Sequence, residues 1–305
     1  MRVLLSGGRG LIGRALTGGL TDHGDQVVLL VRGTDRPDDP RSVSWDPSAG
    51  TVDRAALEAA GPFDAVVNLS GAGIGDRRWT PGRRRLILES RVRSTDLVAR
   101  TAAALDPRPA VLVNASAVGY YGSRGDEELT EASTRGSGFL AGVCRDWEEA
   151  TAPAAEAGLR VVPVRSGVVL SPTGGALGRQ LPLFRLGLGG RLGNGRQYLS
   201  WISLPDEVAV LRRALVDPNL AGPVNAVAPT PVTNAEFTET LAAQLSRPAV
   251  LTVPRVALAA ALGGQLVDEA LLASQRALPV RLMAVGHEFA HPELAMALRE
   301  LLAPR

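Results

Sequence analysis

Four glycines, Gly7, Gly8, Gly10 and Gly13, separate the apolar run Val3-Leu4-Leu5 from Leu11, Ile12, Ala15, Leu16 and Leu20, which recur at helical spacing. Such a loop narrows the fold sharply. A buried strand must turn within a few residues whose backbone comes close to something else, and then enter an amphipathic helix. Gly10 lets backbone N–H groups approach a pyrophosphate, and Gly13 lets the helix lie close against the sheet. The helix N-terminus then stabilises the anion. Gly7, Gly10, Leu11, Ile12 and Gly13 are therefore the expected cofactor contacts of a dinucleotide loop. A tight turn without ligand is the alternative that the same glycines allow.

Gln26-Val27-Val28-Leu29-Leu30-Val31-Arg32 is a near-continuous apolar run, as a parallel strand covered on both faces requires. Residues 65–70, 110–116 and 159–165 repeat the pattern, with helix-length stretches such as 85–104 and 138–157 between them. The alternation predicts an α/β fold, a doubly wound parallel sheet of the Rossmann type with its ligand beyond the carboxyl ends of the strands. After Leu170 glycines crowd a stretch that holds Phe184, Tyr198 and Trp201, and the alternation stops. The expected organisation is a dinucleotide-binding domain over 1–170 with a return segment at 205–227, and a smaller, mostly helical substrate lobe from 171–204 and 228–305. Residues 223–227 are the expected return strand, and Asn234 with Glu236 is expected to open the helical tail.

At the end of the second strand an acid would accept the adenosine ribose hydroxyls, whereas an arginine pairs with a 2′-phosphate. This position holds Arg32, and Asp35 lies beyond it in a following turn, so NADP(H) is expected over NAD. Leu69-Ser70-Gly71-Ala72 ends another strand with small residues that would let the chain skirt the adenosine.

No lysine occurs among the 305 residues and all 33 basic side chains are arginine, which excludes chemistry that needs an ε-ammonium group. Wholesale arginine fits the codon bias of a GC-rich bacterial genome. It also places a pI near 9.2 beside a net charge of only +2, because arginine stays protonated where lysine would titrate. The pI is thus no argument for nucleic acid. The dense stretch Arg77-Arg78-Trp79-Thr80-Pro81-Gly82-Arg83-Arg84-Arg85 reads as solvated surface or cofactor rim. No apolar run nears the roughly 20 residues that cross a bilayer. The start lacks the segments of a secretory signal, so a cytoplasmic protein without membrane or nucleic-acid partner is expected, acting on a small-molecule substrate. The single cysteine, Cys144, reads as a small buried hydrophobe. His23, His287 and His291 show neither metal-ligand nor triad spacing; they are expected in a surface loop and the helical tail, and no metal site is assigned.

Ser6 to Gly13, Leu69 to Ala72 and Asn114-Ala115-Ser116 together resemble the extended short-chain dehydrogenase/reductases. Within them the chain is similar to the atypical, YfcH-like "epimerase family" branch. The residues that carry the likeness are Ser90-Arg91-Val92, Ser116-Ala117-Val118-Gly119-Tyr120-Tyr121-Gly122, Phe139-Leu140-Ala141-Gly142-Val143-Cys144 with Trp147-Glu148, and Arg165-Ser166-Gly167-Val168-Val169-Leu170. It continues through Gly193-Asn194-Gly195-Arg196-Gln197, Ser200-Trp201-Ile202, Asn225-Ala226-Val227-Ala228-Pro229 and Thr233-Asn234-Ala235-Glu236-Phe237, nearly end to end. The resemblance implies an NADP(H)-binding protein whose adenosine end meets Val31, Arg32, Leu69 and Ser70. It further implies that Arg91 and the backbone near Val169 line the cofactor groove. A surface arginine paired with Glu89 is the other reading of Arg91.

In ordinary members of that superfamily a tyrosine exchanges a proton with the substrate oxygen, and a lysine four residues on grips the nicotinamide ribose. Phe139 and Val143 stand where that pair would be, and neither has a proton to give. Ser116 lies near the usual substrate-polarising serine, with Ala117 there instead if the alignment slips by one. Tyr120 and Tyr121 are the nearest phenols. Each would transfer a proton beside an arginine, or pack with its hydroxyl tied to backbone. Arg165, Arg191, Arg196, Gln197, Tyr198 and Trp201 suit an anionic or polyhydroxy ligand, or a capped loop. Ser203 follows Trp201-Ile202 where relatives often carry histidine. The expected function is an NADP(H)-dependent epimerase- or reductase-like oxidoreductase acting on a sugar nucleotide or small carbonyl. Its proton would pass through Ser116, Tyr120, Tyr121 or water. A non-catalytic NADP(H)-binding redox sensor or scaffold is the alternative.

Overall fold

The computed structural model describes residues 1–33 and 41–303, and its centre is an eight-stranded sheet. Strands β1 (Arg2–Ser6), β2 (Gln26–Arg32), β3 (Ser42–Asp46), β4 (Thr51–Val52), β5 (Ala65–Asn68) and β6 (Val111–Ala117) are followed by Arg160–Ser166 and Val224–Ala226. Across the sheet the order is Val224–Ala226, Arg160–Ser166, β6, β5, β1, β2, β3, β4. All neighbours run parallel except β3 and β4. From β1 the chain first builds outward through β2 and then returns to add β5 on the other side. That reversal leaves a crevice at the carboxyl ends of β1 and β5.

Alternate strand residues feed two cores. Val3, Leu5, Val67 and Val113 face α1 (Leu11–Asp22) and the later helix Leu204–Val216, through Leu16, Leu20, Val210 and Leu211. Leu4, Val66 and Leu112 face α2 (Arg54–Ala60) and α3 (Pro81–Ala104), through Leu57, Val98 and Ala102. Period two on the strands and helices on both faces explain why these strands read as unbroken apolar runs. β3 escapes that criterion because it alternates: Val43 and Trp45 are buried between polar neighbours at this end of the sheet.

The helix expected over 138–157 is two helices, α4 (Phe139–Glu149) and α5 (Ala152–Glu156). Pro153 lies in the first turn of α5, the helical position that tolerates a residue without an N–H. Beyond them, α6 (Gly175–Arg185), α7 (Leu204–Val216) and α8 (Asn234–Gln244) follow. α7 and Val224–Ala226 carry the chain back to the central sheet. The cap of α8 is Thr233 rather than Asn234, because Thr233 and Glu236 close a reciprocal capping box. α6, α8 and Leu294–Leu301 enclose a third apolar cluster around Leu181, Phe184, Trp201, Phe237 and Leu298. No helix among the described residues is long and apolar enough to cross a membrane.

Candidate functional site

The crevice between β1 and β5 is shaped by backbone crowding. Gly7 has φ +78, and a Cβ there would lie 2.6 Å from the Leu69 carbonyl carbon and oxygen. A Cβ on Gly13 would lie 2.3 Å from the Gly7 oxygen and 2.7 Å from Gly8 Cα. Both positions need glycine, one for conformation and close approach, the other for space. The Gly10 N–H donates to Gly7 O at 3.0 Å, which closes the turn and leaves Leu11 and Ile12 at the N-terminus of α1. Leu11 reaches across to Gly174 and Gly175, and a Cβ on Gly175 would come within 3.4 Å of Val169 O. The glycine loop and the Val169 strand end therefore face each other. Val31 is buried and Arg32 exposed at the end of β2, while Asp35 lies outside the described residues.

A buried polar network fixes the second rim. Asn68 Nδ2 donates to Asn114 Oδ1 and to Thr95 Oγ1, both at 2.7 Å, while Ser6 Oγ and the Ser70 N–H donate to Asn68 Oδ1. These bonds tie β1, β5, β6 and α3 together where strand pairing ends. The following loop is held by α3: Ser90 Oγ accepts the Ala72 N–H, and Arg91 Nη1 donates to Ala72 O at 2.9 Å. Arg91 lies over Gly71, whose Cβ would meet Arg91 Cζ at 3.2 Å, and its guanidinium stacks 4.9 Å from the Trp147 ring. Burial pulls its cation below the ordinary guanidinium value. Glu89 pairs with Arg93 instead, so the alternative pairing of Arg91 is absent.

Ser116, Tyr120 and Tyr121 converge on one ion pair. Arg165 grips Glu148 through Nε to Oε1 and Nη2 to Oε2, both at 2.8 Å, and Ser116 Oγ donates to Glu148 Oε1 at 2.6 Å. Arg165 Nη1 also donates to Tyr121 Oη at 3.0 Å, and Tyr121 Oη donates to Asn225 Oδ1 at 2.7 Å. Tyr121 is fully buried, and burial raises its phenol above the ordinary value against the pull of Arg165. Burial also works against the Arg165 cation, but Glu148 outweighs it and holds the guanidinium charged. Tyr120 is half-buried with Arg165 Cζ 3.5 Å from its ring centroid, and its hydroxyl has no partner among the described residues. Arg165 thus belongs to the sheet edge and not to the glycine-rich lobe, and Trp201 is core, with Nε1 donating to Thr230 O. The six lobe residues grouped from sequence do not converge; Arg191 bonds Thr252 and Gln197 bonds Leu192 O.

Phe139 opens α4 with its ring edge-on to Trp79 at 5.2 Å, and Val143 is buried one turn on. Cys144 beside it is buried, which pushes its thiol up to about 12. The cap of α4 comes from far along the chain, for Glu269 Oε2 accepts the Leu140 N–H at 2.8 Å. Gln265 Nε2 donates to Glu269 Oε1 at 2.9 Å, and Arg84 Nη1 to Gln265 Oε1 at 3.1 Å. The arginine-rich stretch is tied down here as well: Arg83 and Arg179 both reach Asp76.

Residues 3–226 match the NAD dependent epimerase/dehydratase family, and residues 253–301 match a domain of unknown function. The chain belongs to that epimerase/dehydratase family. An epimerase family protein of Mycobacterium bovis is 47% identical over 97% of this chain and 96% of its own length. The human epimerase family protein SDR39U1 is 37% identical over 99% of this chain and 100% of its own. A crystal structure of the human protein (isoform 2), described as with NADPH, superposes at a TM-score of 0.89 with 36% identity over 99% of each chain.

Two polar clusters of this epimerase-family chain were invisible in its sequence. His291, expected in the helical tail without a site, is buried with Nδ1 2.9 Å from Ser203 Oγ and Nε2 2.9 Å from Glu300 Oε2. Ser203 donates to Asp206, caps α7 and is wholly buried, so Ser203, Asp206 and His291 form a buried cluster that docks the C-terminal segment, with Glu300 at its exposed end. Glu207, next to it, accepts from Ser166 Oγ at 2.6 Å, while its Oε2 has no partner.

Burial pushes the Glu207 carboxyl up to about 7 from an ordinary 4.5. The folded chain holds this proton more tightly than the unfolded chain, so its contribution is complete below pH 4.5 and is lost as pH rises towards 7. At about 1.4 kcal/mol per pH unit between those values, the loss is about 3 kcal/mol. Glu207→Gln is expected to remove that slope and to gain about that much on the wild type between pH 4 and pH 8 in urea denaturation. Parallel stability profiles for the two proteins would refute it.

Proposed function

We propose that this chain binds NADP(H) across the carboxyl ends of β1 and β5 and acts as an epimerase- or reductase-like oxidoreductase on a sugar nucleotide or small carbonyl. The observation that carries the reading is the glycine loop between β1 and α1, where Gly7 and Gly13 let the loop, the Leu69 backbone and the start of α1 pack closer than any Cβ would allow. The NADPH in the human relative's structure supports the same cofactor.

Gly7, Gly10, Leu11, Ile12 and Gly13 would hold the pyrophosphate at the N-terminus of α1. Val31, Leu69, Ser70 and Gly71 would flank the adenosine, with Arg32 on the 2′-phosphate. Arg91 and the Val169 backbone would line the groove beyond. When bound, the cofactor supplies hydride transfer. Ser116 would orient the substrate oxygen while Glu148 fixes its hydroxyl, and Tyr121 would hold Arg165 in place. Tyr120, whose hydroxyl is free of other partners, is the phenol best placed to move the proton, with water as its substitute. A non-catalytic NADP(H)-binding sensor is the second reading, favoured by apolar Phe139 and Val143 and by the tied hydroxyls of Ser116 and Tyr121.

Titration of NADPH against NADH by fluorescence tests the cofactor half. Arg32→Ala is expected to weaken NADPH by roughly tenfold or more, the worth of one charge-assisted contact, and to leave NADH unchanged. Equal effects on both would remove the 2′-phosphate role. Turnover of NADPH with a panel of sugar nucleotides and small carbonyls, lost in Tyr120→Phe, separates the enzyme from the sensor.

A further inference from the structure

Several acids around the glycine loop, α4 and the C-terminal segment are held in ion pairs. Glu148 is locked to Arg165, Asp76 to Arg83 and Arg179, and Asp268 to Arg255. Glu269, the neighbour of Asp268, has no ion pair among the described residues. Among the described residues its two oxygens take the Leu140 N–H and the Gln265 amide, while Arg84 bonds Gln265 and Arg255 bonds Asp268. It is half-buried and lies in a π-helical turn, Val267–Leu271, a geometry found often at functional sites. In a parallel sheet the helix that follows a strand begins at the carboxyl edge, so the first turn of α4, with Glu269 on it, borders the ligand crevice. That turn carries Phe139, and Val143 follows one turn on.

We infer that Glu269 is an uncompensated carboxylate that biases this site toward the oxidised, positively charged nicotinamide over the reduced, neutral one. The inference rests on the NADP(H) reading. Oxidation puts a positive charge on the ring, and a fixed carboxylate near it stabilises that form selectively in a partly dry cleft. The C-terminal segment, which supplies Glu269 and Gln265, thereby becomes part of the cofactor site and not an appendage to it.

The test needs no substrate. Dissociation constants for NADP+ and for NADPH are measured at pH 8 and low salt on the full chain, wild type and Glu269→Gln. Glutamine can still accept the Leu140 N–H, so the α4 cap survives while the charge goes. The ratio of the NADP+ constant to the NADPH constant is expected to rise roughly three- to tenfold in Glu269→Gln. With rising salt the wild-type ratio should climb towards that of Glu269→Gln, because the carboxylate whose effect salt screens is present only in the wild type. An unchanged ratio overturns the inference, as does a change seen in Glu269→Ala but not in Glu269→Gln, which would mark a purely structural cap. If the wild type binds neither form, the NADP(H) reading itself falls and takes this inference with it.

Discussion

Gly13→Ala is expected to abolish useful NADPH binding and to destabilise the fold. The added methyl would sit 2.3 Å from Gly7 O and 2.7 Å from Gly8 Cα, and both are backbone atoms that no rotamer change can move aside. Relief requires α1 to draw back from the loop, which would withdraw the N–H groups proposed to hold the pyrophosphate. Losing two charge-assisted bonds of that kind is worth about 3 kcal/mol, or roughly a hundredfold in affinity. Overpacking of this severity costs about 3 kcal/mol of stability. The control is Gly18→Ala in the same helix, where a Cβ meets nothing within 4 Å. That variant is expected to stabilise by about 0.5–1 kcal/mol, since alanine replaces glycine in a helix interior without contact. Calorimetry and an NADPH titration on both variants decide it. Wild-type binding by Gly13→Ala would show that the loop does not approach its ligand.

Glu148→Ala is expected to lower stability by about 3–5 kcal/mol, because it leaves Arg165 buried without a counter-charge. Arg165 has only 4% of its side chain exposed, and Glu148 accepts three of the hydrogen bonds that organise Ser116 and Arg165. A fall in Tm of about 5–8 °C corresponds to that loss in a chain of this length. The double variant Glu148→Ala, Arg165→Met is expected to recover part of it, since no unpaired charge remains inside. By contrast, removing exposed Arg145 from its pair with Asp146 is expected to leave the unfolding midpoint essentially unchanged, because solvent screens that pair. A single Glu148→Ala variant within about 1 kcal/mol of wild type would mean that water reaches Arg165 and that the site is wetter than the packing implies.

Much of the sheet was legible because its signals are local. Apolar runs at 26–32 and 65–70 and the glycines of the first loop report burial and close approach within a few residues. β3 and β4 were passed over because a short alternating strand and a two-residue edge strand lack such a run. Arg165 was grouped with the glycine-rich lobe because it precedes that lobe in sequence. Its strand position turns it inward onto Glu148, across 17 residues of chain. The polar partners of His291 were not legible for the same reason: Ser203 is 88 residues away. Ser94 and Thr95, buried in α3, were the available hint that a polar network lay beneath that helix.

The sequence by itself determined most of the parallel sheet, the glycine loop after β1, and the apolar Phe139 and Val143 where the family resemblance expects tyrosine and lysine. Sterics and hydrophobic periodicity act over a few residues, so the chain declares them locally. Only the tertiary structure decided which charges cancel: Glu148 against Arg165, Asp206 with Ser203 and His291, and Glu269, left unpaired at the head of α4 129 residues before it. The energy of a charge is set by its burial and by which group folding brings within hydrogen-bond reach, and neither quantity exists until distant segments have docked.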